Sequence, residues 1–540
     1  GFFAAFNRWF ARRMDKYTAF TPTLIRHVAR TGVFIAAVLA VIFLVWRKLP
    51  AGFLPEEDQG YVMVMVSTPE ASSLQVTQKA MIRADEVIRT LPEVASTSFA
   101  AGFNMMAGIA STDSGIIFVS LVGYSDRKLT AMEIAQKLTD ELYMAVPGAE
   151  CFAFIPPSIP GLGITSGVSV EVQDLEGRGT AYLLEQSERL MDSLRKLPSV
   201  ASVTTQFNAG VPQRRLRIDK EQALASGVDL GVLYGDLTTL LGGAYVNNFS
   251  RFGKLYQTYI QAAPAYRMDK RSLDSYYVAS SSGESVPVSS LVEVVDTVGV
   301  EYVSQFNLYR SIGLTVTPAA RTSTTTVMQD ITRTAAQVLP DDVGTAWSGT
   351  SFQEANASKT GGLVYLLALV FVFLALAALY ESWGLPLAIL MSVPVAVLGA
   401  VLFIGVSHLL NAFYVNDIYM QISLVMLIGL AAKNAILVVE YADRLFNEQG
   451  ASLMDAAIGA AKLRVRPIIM TAFAFILGVM PLIFASGVYA TARNIMGVAL
   501  VGGMLFATLL GIFVYPALYY FVGRIGGFER RRERKKQEQS

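Results

Sequence analysis

Two kinds of hydrophobic pattern divide this chain of 540 residues. Near its amino terminus and again after residue 360, continuous apolar stretches approach the roughly 20 residues that cross ~30 Å of hydrocarbon. The predicted spans are Gly32–Trp46, Leu363–Tyr380, Leu385–Gly405, Ile418–Ala442, Pro467–Ser486 and Met496–Val522. Between the first two spans no apolar run reaches span length. The pattern therefore predicts a membrane α-helical bundle of six spans with one large region outside the membrane.

The large region shows short strand and helix patterns instead. Residues 50–155 follow the order β-α-β-β-α-β, which is typical of a ferredoxin-like unit. A second copy of that order begins in residues 156–213 and resumes in residues 306–359. Residues 214–305 form an inserted module that contains a long hairpin at Tyr245–Ala262. The predicted fold of this region is α+β, with two ferredoxin-like βαβ units and one insertion.

Charged flanking segments predict the orientation. Basic residues cluster near the amino terminus, in the 444–466 loop and in the tail at 523–540. All three segments fall on one side of a six-span bundle, and the positive-inside rule makes that side cytoplasmic. Residues 31–49 then hold the first span, 360–522 hold the other five, and the α+β region is extracytoplasmic.

Residues 1–30 are predicted to form an amphipathic helix. An aromatic face lies beside a basic face that includes Arg8 and Arg12. This pattern fits a helix in the membrane interface and fits equally an ordinary helix packed on protein. The aromatic residues are Phe2, Phe3, Phe6, Trp9 and Phe10.

Composition excludes several classes of function. The chain is 53% hydrophobic and 16% charged, which is too apolar for an ordinary soluble protein. A net charge of +1 gives no field for nucleic acid. Cys151 is the sole cysteine, and the isolated His27 and His408 predict no metal site. The sequence contains no P-loop, nucleophile elbow or dinucleotide fingerprint, so neither an enzyme nor a cofactor is predicted.

Lys433 is the leading candidate for a functional residue. It lies about ten residues from the end of its span, which places it near mid-bilayer. A charge there costs roughly 2.5–3.5 kcal/mol on insertion scales and usually faces a partner or a wet cavity. Glu440 lies two turns further along the same face, too far for a direct ion pair. A partner carboxylate is therefore expected from outside this chain; the alternative is a lysine that snorkels to the interface.

Polar residues of the next span extend this candidate site. Arg464 lies near the start of that span and Thr471 lies one turn inside it. With Lys433 and Asn434 they would form a polar strip, as a proton or ion relay requires. Two other interpretations stay open. Arginines at a cytoplasmic helix start act as orientation signals, and a threonine can bond its own backbone four residues back.

A second candidate site lies in the first α+β unit. Phe152 and Phe154 alternate on one strand, and Phe118 lies on a neighbouring strand. The segment from Gly102 to Gly115 is predicted to be a flexible loop, and it carries Phe103, Met105 and Met106. Aromatic rings and thioethers suit a pocket that accepts hydrophobic ligands of many shapes. The alternative is plain packing of the sheet against its helices.

Four stretches resemble the resistance-nodulation-division multidrug transporters, specifically the carboxy-terminal half of the hydrophobe/amphiphile efflux branch. They are FLPEEDQG (53–60), ALYESW (378–383), GLAAKNAILVVEYA (429–442) and RPIIMTAFAFILGVMPL (466–482). The resemblance implies a homotrimeric drug/proton antiporter in the inner membrane of a Gram-negative cell. It also implies a tripartite system with a periplasmic adaptor and an outer-membrane channel, amphiphilic small-molecule substrates, and the proton-motive force in place of a cofactor.

The resemblance also implies roles for residues. Lys433 would pair with two aspartates of the amino-terminal half, and Thr471 and Arg464 would serve the relay. The four pocket phenylalanines match an aromatic deep pocket, residues 102–113 match its gating loop, and 214–305 match a docking module with an arm. The matching phenylalanines are Phe103, Phe118, Phe152 and Phe154.

This sequence departs from the family pattern in two respects. The amino-terminal half with its aspartate pair is absent, so the chain alone is expected not to transport. Ser98 and Met105 stand where well-known members have aromatic residues, which leaves substrate preference open. The rival functions are export of lipid or metal ions and a non-transporting membrane sensor or scaffold.

Overall fold

The computed structural model describes residues 12–13, 16–23, 25, 28–55, 57–159, 161–163, 165–319, 322–411 and 413–528. They form two compact units, of which the second is Phe207–Val303 and the first is everything before and after it. The second unit overlaps the predicted insertion at 214–305 and begins earlier. The aromatic residues of the predicted amino-terminal helix and most of the basic tail lie outside the described residues.

Both units contain α-helices. From Val28 onward the α-helices are α1 (Val28–Lys48), α2 (Leu74–Ile88), α3 (Ala131–Ala145), α4 (Thr180–Leu194), α5 (Lys220–Ala225), α6 (Leu230–Leu237), α7 (Thr324–Val338), α8 (Gly349–Tyr380), α9 (Gly384–Leu390), α10 (Val393–Leu410), α11 (Ile418–Asn447), α12 (Leu453–Ile483), α13 (Ala490–Leu509) and α14 (Gly511–Ile525). Of these, α5 and α6 belong to the unit Phe207–Val303. Within the described residues, six helical segments are long and apolar enough to cross a membrane. The membrane bundle predicted from hydropathy is thereby confirmed.

Strands occupy the interval between the first two spans. They are β1 (Tyr61–Ser67), β2 (Val94–Asn104), β3 (Ile109–Leu121), β4 (Glu150–Phe154), β5 (Val168–Asp174), β6 (Val200–Thr205), β7 (Val211–Ile218), β8 (Ala244–Arg251), β9 (Lys254–Ile260), β10 (Tyr277–Ala279), β11 (Ser285–Pro287), β12 (Val292–Gly299), β13 (Ser304–Phe306), β14 (Tyr309–Pro318) and β15 (Val343–Trp347). A mixed α/β region outside the membrane is therefore also confirmed.

The span predicted at Leu385–Gly405 lies within the apolar helical segment Gly384–Leu410, which contains α9 and α10. Other predicted span boundaries are wrong. The predicted span Met496–Val522 is divided between α13 and α14. The helix α8 begins at Gly349, well before its apolar part, so one continuous helix leads from the α/β region into the membrane. The helix α12 begins at Leu453 and contains Pro467 in its interior.

Small residues bring two membrane helices into close contact. A Cβ atom at Gly399 of α10 would overlap the carbonyl oxygen of Gly502 in α13. A Cβ atom at Gly502 would lie 2.5 Å from Cβ of Phe403. Helix association in lipid depends on such close packing, because apolar side chains gain little from leaving an apolar solvent. These glycines therefore set the contact between α10 and α13.

The first sheet has the strand order β2-β3-β1-β4, and all neighbouring strands are antiparallel. The valines of β1 pack with α2 and α3 in one apolar core. They are Val62, Val64 and Val66. Successive strand residues face opposite sides, so the intervening Met63 and Met65 lie on the other face. The helices thus cover only one face of this sheet.

The second sheet repeats this arrangement with strands that are distant in sequence. Strand β5 pairs with β14 and β15, and β14 also pairs with β6 and β13. The unit Phe207–Val303 lies between β6 and β13 in the sequence. The strands of the second sheet therefore come from two parts of the chain, one before and one after this unit.

The unit Phe207–Val303 contains the predicted hairpin. Strands β8 and β9 pair with each other, and nearly all their residues are exposed. Phe252 and Gly253 form the turn with φ angles of +54° and +71°. Two successive positive φ angles are typical of the type I′ turn, whose twist suits a two-residue hairpin. Within the described residues, this hairpin pairs with no other strand.

Candidate functional site

The membrane site is built around an uncovered face of α11. Lys433 and Glu440 are exposed, and the apolar residues of the same face are exposed as well. Ile422 and Met426 are each 44% exposed, and a Cβ atom at Gly429 would meet nothing within 4 Å. The spacing of these residues follows one helical stripe. The stripe that carries Lys433 is thus left open by this chain.

Lys433 makes no salt bridge with any residue that the structure describes. An unpaired ammonium at this depth of a membrane costs several kcal/mol, so its position requires a partner or water in the assembled protein. The expected partner carboxylate stays a prediction. The open stripe is the place where such a partner has room.

Thr471 lies on a similar open face of α12. It is exposed, and Met470 and Leu477 of the same helix are 63% and 64% exposed. Its hydroxyl donates to the carbonyl of Ile468 at 3.1 Å, so the local backbone bond exists but runs three residues back rather than four. Helices α11 and α12 pack against each other. The two open faces therefore belong to neighbouring helices.

Asn434 and Arg464 have different surroundings. Asn434 is 1% exposed, and its side chain interacts with the side chain of Tyr515. It therefore lies away from the open stripe of Lys433, and the predicted strip of four adjoining polar residues is not formed within the described part of this chain. The guanidinium of Arg464 lies 4.7 Å from the ring centre of Tyr441, a cation–π contact between α12 and α11.

The second candidate site is the sheet face opposite the helices. Strand register places Phe118 and Phe154 on either side of Met63, and Ser98 lies next to Phe118. Two residues further along β1, Met65 lies opposite Phe152. Opposite residues of antiparallel strands share a face. The predicted Ser98, Phe118, Phe152 and Phe154 are thus brought together on one surface.

The exposed fractions of the three phenylalanine side chains show which of them line an open surface and which belong to a packed core. Phe118 is 37% exposed and Phe152 is 52% exposed, whereas Phe154 is 5% exposed. The rings of Phe152 and Phe154 are stacked at 5.8 Å. Because α2 and α3 pack on the opposite face, the alternative of packing against those helices does not account for these rings. They form an apolar, partly open surface that can bind a flat hydrophobic ligand.

The predicted flexible loop at 102–115 is a hairpin. Strand β2 continues to Asn104, β3 begins at Ile109, and Met105–Gly108 form the turn. The turn is closed by the amide of Gly108, which donates to the carbonyl of Asn104 at 2.9 Å. Two glycines of this segment lie at a strand bulge and in a tight turn, with φ of +90° at Gly102 and +71° at Gly108.

The turn still contributes to the site. Met105 and Met106 pack against the cluster of Met63, Met65 and Phe154. Phe103 is 41% exposed and pairs with Ala110 across the hairpin. The turn of the hairpin therefore adds two thioether side chains to the apolar surface.

Sequence reasoning missed Met63 and Met65. They lie at the centre of this surface, between the strands that carry the phenylalanines. The available signal is the alternation YVMVMV in β1, in which valine faces the helices and methionine faces the other side. An apolar strand looks like core from its composition, so aromatic residues and loops are the more conspicuous candidates for a pocket.

The whole sequence, and not only these two sites, is similar to known proteins. It matches the model of the AcrB/AcrD/AcrF family over residues 1–523. It is 36% identical over 533 residues to the toluene efflux pump membrane transporter TtgB of Pseudomonas putida, covering 98% of this chain and 50% of TtgB.

Two relatives from Escherichia coli are nearly as similar. Multidrug resistance protein MdtF is 34% identical over 529 residues, which cover 96% of this chain and 50% of MdtF. Multidrug export protein AcrF is 32% identical over 529 residues, which cover 97% of this chain and 50% of AcrF. The chain spans about half the length of the curated relatives it matches. It belongs to the AcrB/AcrD/AcrF family of resistance-nodulation-division multidrug efflux transporters.

Proposed function

We propose that this chain is the carboxy-terminal half of a proton-driven multidrug exporter and is inactive without its amino-terminal half. The observation that supports the proposal is the open stripe of α11, on which Lys433 is exposed in the middle of a membrane span. Carboxylates of the other half would pair with Lys433 when ionised and release it when protonated. Proton binding and helix position are then coupled, as a two-state exporter requires.

The proposed drug surface is the open face of the first sheet. Methionine and phenylalanine side chains provide soft apolar contacts without directional hydrogen bonds, which suits amphiphilic ligands of different shapes. The names of TtgB and MdtF refer to toluene efflux and multidrug resistance. Toluene is an apolar compound, and the surface proposed here for drug binding is apolar as well.

The architecture proposed for the α/β region follows the same reasoning. The order β2-β3-β1-β4 with antiparallel neighbours supports a ferredoxin-like unit. The equivalent pairing of β6, β14, β5 and β15 supports a second one. The unit Phe207–Val303 is proposed as the docking module for an outer-membrane channel, in a homotrimer that also binds a periplasmic adaptor. Its exposed hairpin β8–β9 is proposed as an arm toward a neighbouring protomer.

Orientation gives a first test. Cysteines placed at Ser282 and at Gln449 should react with a membrane-impermeant maleimide from opposite sides, with Ser282→Cys reached from the periplasm. Both sites are exposed in the structure. The native Cys151 should stay silent, because it is buried and burial raises the pKa of its thiol to about 11. Labelling of both engineered cysteines from the same side would contradict the proposed topology.

Export itself is tested by reuniting the chain with its amino-terminal half. Cells that lack their own efflux pumps should accumulate less of an amphiphilic dye when both halves are present than when either half is present alone. Collapse of the proton gradient by a protonophore should remove the difference. Export that survives the protonophore would contradict proton-driven transport.

A further inference from the structure

One short segment contacts both the membrane helices and the first sheet unit. It consists of residues 50–55 and 57–59, which join α1 to β1, and we call it the strap. Its contacts join residues that are as much as 435 positions apart in the sequence. The strap therefore holds together parts of the first unit that the chain order separates.

The strap is paired with the start of α11, the helix that carries Lys433. The amide of Asn416 donates to the carbonyl of Pro50 at 2.9 Å, and the amide of Gly52 donates to the carbonyl of Asn416 at 3.1 Å. The amide of Ile418, the first residue of α11, donates to the carbonyl of Phe53 at 3.2 Å. A displacement of α11 along its axis therefore pulls directly on the strap.

Glu57 binds the start of α13. Its carboxylate accepts the amide hydrogens of Ala492 at 2.7 Å and Thr491 at 3.2 Å, and the residue is 2% exposed. A carboxylate at this position satisfies helix amides that have no partner within the helix. Burial raises the pKa of Glu57 above its usual value, and these hydrogen bonds only partly offset the loss of hydration.

Asp58, the next residue, binds the start of α3 in the α/β region. Its carboxylate accepts the amide hydrogen of Ala131 at 2.8 Å and pairs with Arg127 at 2.7 Å. The Arg127 side chain is 2% exposed and lies over the ring of Tyr124. Burial acts to raise the pKa of Asp58, but the hydrogen bonds from Arg127, Ala131 and Gly60 outweigh it and lower the pKa below its usual value. Asp58 is therefore ionised at neutral pH.

Further contacts fasten the strap to the end of the first sheet unit. The side chain of Gln59 donates to the carbonyl of Pro157 at 2.9 Å, and the hydroxyl of Ser158 donates to the carbonyl of Pro55 at 2.6 Å. Glu57 and Asp58, ~3.8 Å apart between their Cα atoms, thus hold the starts of a membrane helix and of a periplasmic helix. The two neighbouring carboxylates therefore link these two helix starts.

We propose that the strap transmits movement of α11 and α13 to the sheet unit that carries the apolar surface, with Glu57 and Asp58 as positioning residues. This inference rests on the proposed function, since it assigns the mechanical link between proton binding and drug release. The link is distinct from α8, which is a continuous helix into the second sheet unit. Loosening the strap should therefore lower drug export while proton movement continues.

The test uses the full-length transporter, this chain joined to its amino-terminal half, reconstituted in liposomes. Glu57→Ala and Asp58→Ala should each lower drug export about tenfold, within the usual range of coupling free energies. Proton flux should continue, so the number of protons moved per drug molecule rises. Glu57→Gln keeps one acceptor oxygen and should give an intermediate ratio. If an alanine variant does not accumulate in the membrane, the ratio of protons to drug is measured with Glu57→Gln and Asp58→Asn instead.

Two variants serve as matched controls. Thr130 is the N-cap of α3, and Ser452 is the N-cap of α12. Thr130→Ala and Ser452→Ala each remove a helix N-cap and change no residue of the strap. They should leave the ratio of protons to drug unchanged. A strap variant whose export and proton flux fall in the same proportion would show that the carboxylates only stabilise the fold and would overturn the inference.

Hydrogen exchange separates this inference from the proposed function. Asp58→Asn should speed exchange in the first turn of α3 and also in the first turns of α11 and α13, whereas Thr130→Ala should affect α3 alone. Faster exchange confined to α3 in both variants overturns the strap whatever the protein transports. A wild-type protein that moves no protons with drug overturns the proposed function and leaves the exchange result to decide the strap.

Discussion

The full-length transporter with Lys433→Met is expected to reach the membrane at wild-type abundance and to export no drug. The substitution removes a charge that costs roughly 2.5–3.5 kcal/mol at mid-bilayer, so insertion should not suffer. A neutral side chain cannot respond to ionisation of a partner carboxylate, so the coupling is lost. Export is measured as dye efflux at membrane abundance matched by immunoblot.

Two further variants define this result. Lys462→Met makes the same chemical change at an exposed position near the start of α12 and should retain export. Lys433→Arg keeps the charge but alters its shape and donor geometry, so it should lose most of the export. Wild-type export by Lys433→Met would show that this lysine has no role in coupling proton binding to drug export.

Alanine at Phe118 or Phe152 should lower resistance to some drugs and spare others. Each ring is partly exposed on the apolar sheet face, so its removal costs the fold little and costs a bound ligand the contact. Full burial of such a side chain contributes ~1.5–3 kcal/mol. Since about 1.4 kcal/mol is tenfold in affinity, drugs that cover the ring should lose roughly tenfold or more. Susceptibility across a panel of dyes and antibiotics is the measurement.

The same sheet offers controls for the pocket. Phe99 is 39% exposed and lies opposite Ile117, whose side chain faces the helices. Phe99→Ala should therefore leave the pattern of susceptibilities unchanged. Phe154→Ala removes a buried ring and should reduce the amount of folded protein, at a cost of ~3–5 kcal/mol. A uniform loss for Phe118→Ala that follows protein abundance would favour a purely structural role.

Hydropathy is sufficient to predict the membrane spans, because each span requires a continuous apolar run and such a run is visible in the sequence. It could not show the breaks between α9 and α10 or at Leu510. Both broken segments remain apolar throughout, and the breaks are set by backbone geometry and by neighbouring helices. The open environment of Lys433 could be reasoned from its depth, because the predicted spans offer no carboxylate at the same level.

The pairing of strands in the first sheet determines which side chains share its open face, and the sequence does not show this pairing. Strand patterns locate Phe118, Phe152 and Phe154, but only the register shows that Met63 lies between two of these rings. The glycines of the 102–115 segment do not distinguish a loop from a hairpin, because positive φ angles occur in loops and in tight hairpins alike. The strap was beyond sequence reasoning for a different reason. Its carboxylates bind helix starts that lie 73 and 435 residues away.

Coupling through Lys433 is tested most directly by drug-dependent proton movement in liposomes that contain the full-length transporter. A pH-sensitive dye inside the liposomes follows the protons while a fluorescent drug is followed separately. Drug should accelerate proton movement in the wild type, and Lys433→Met should show neither drug export nor this acceleration. Drug export without accompanying proton movement, or wild-type rates for Lys433→Met, would contradict the proposed coupling.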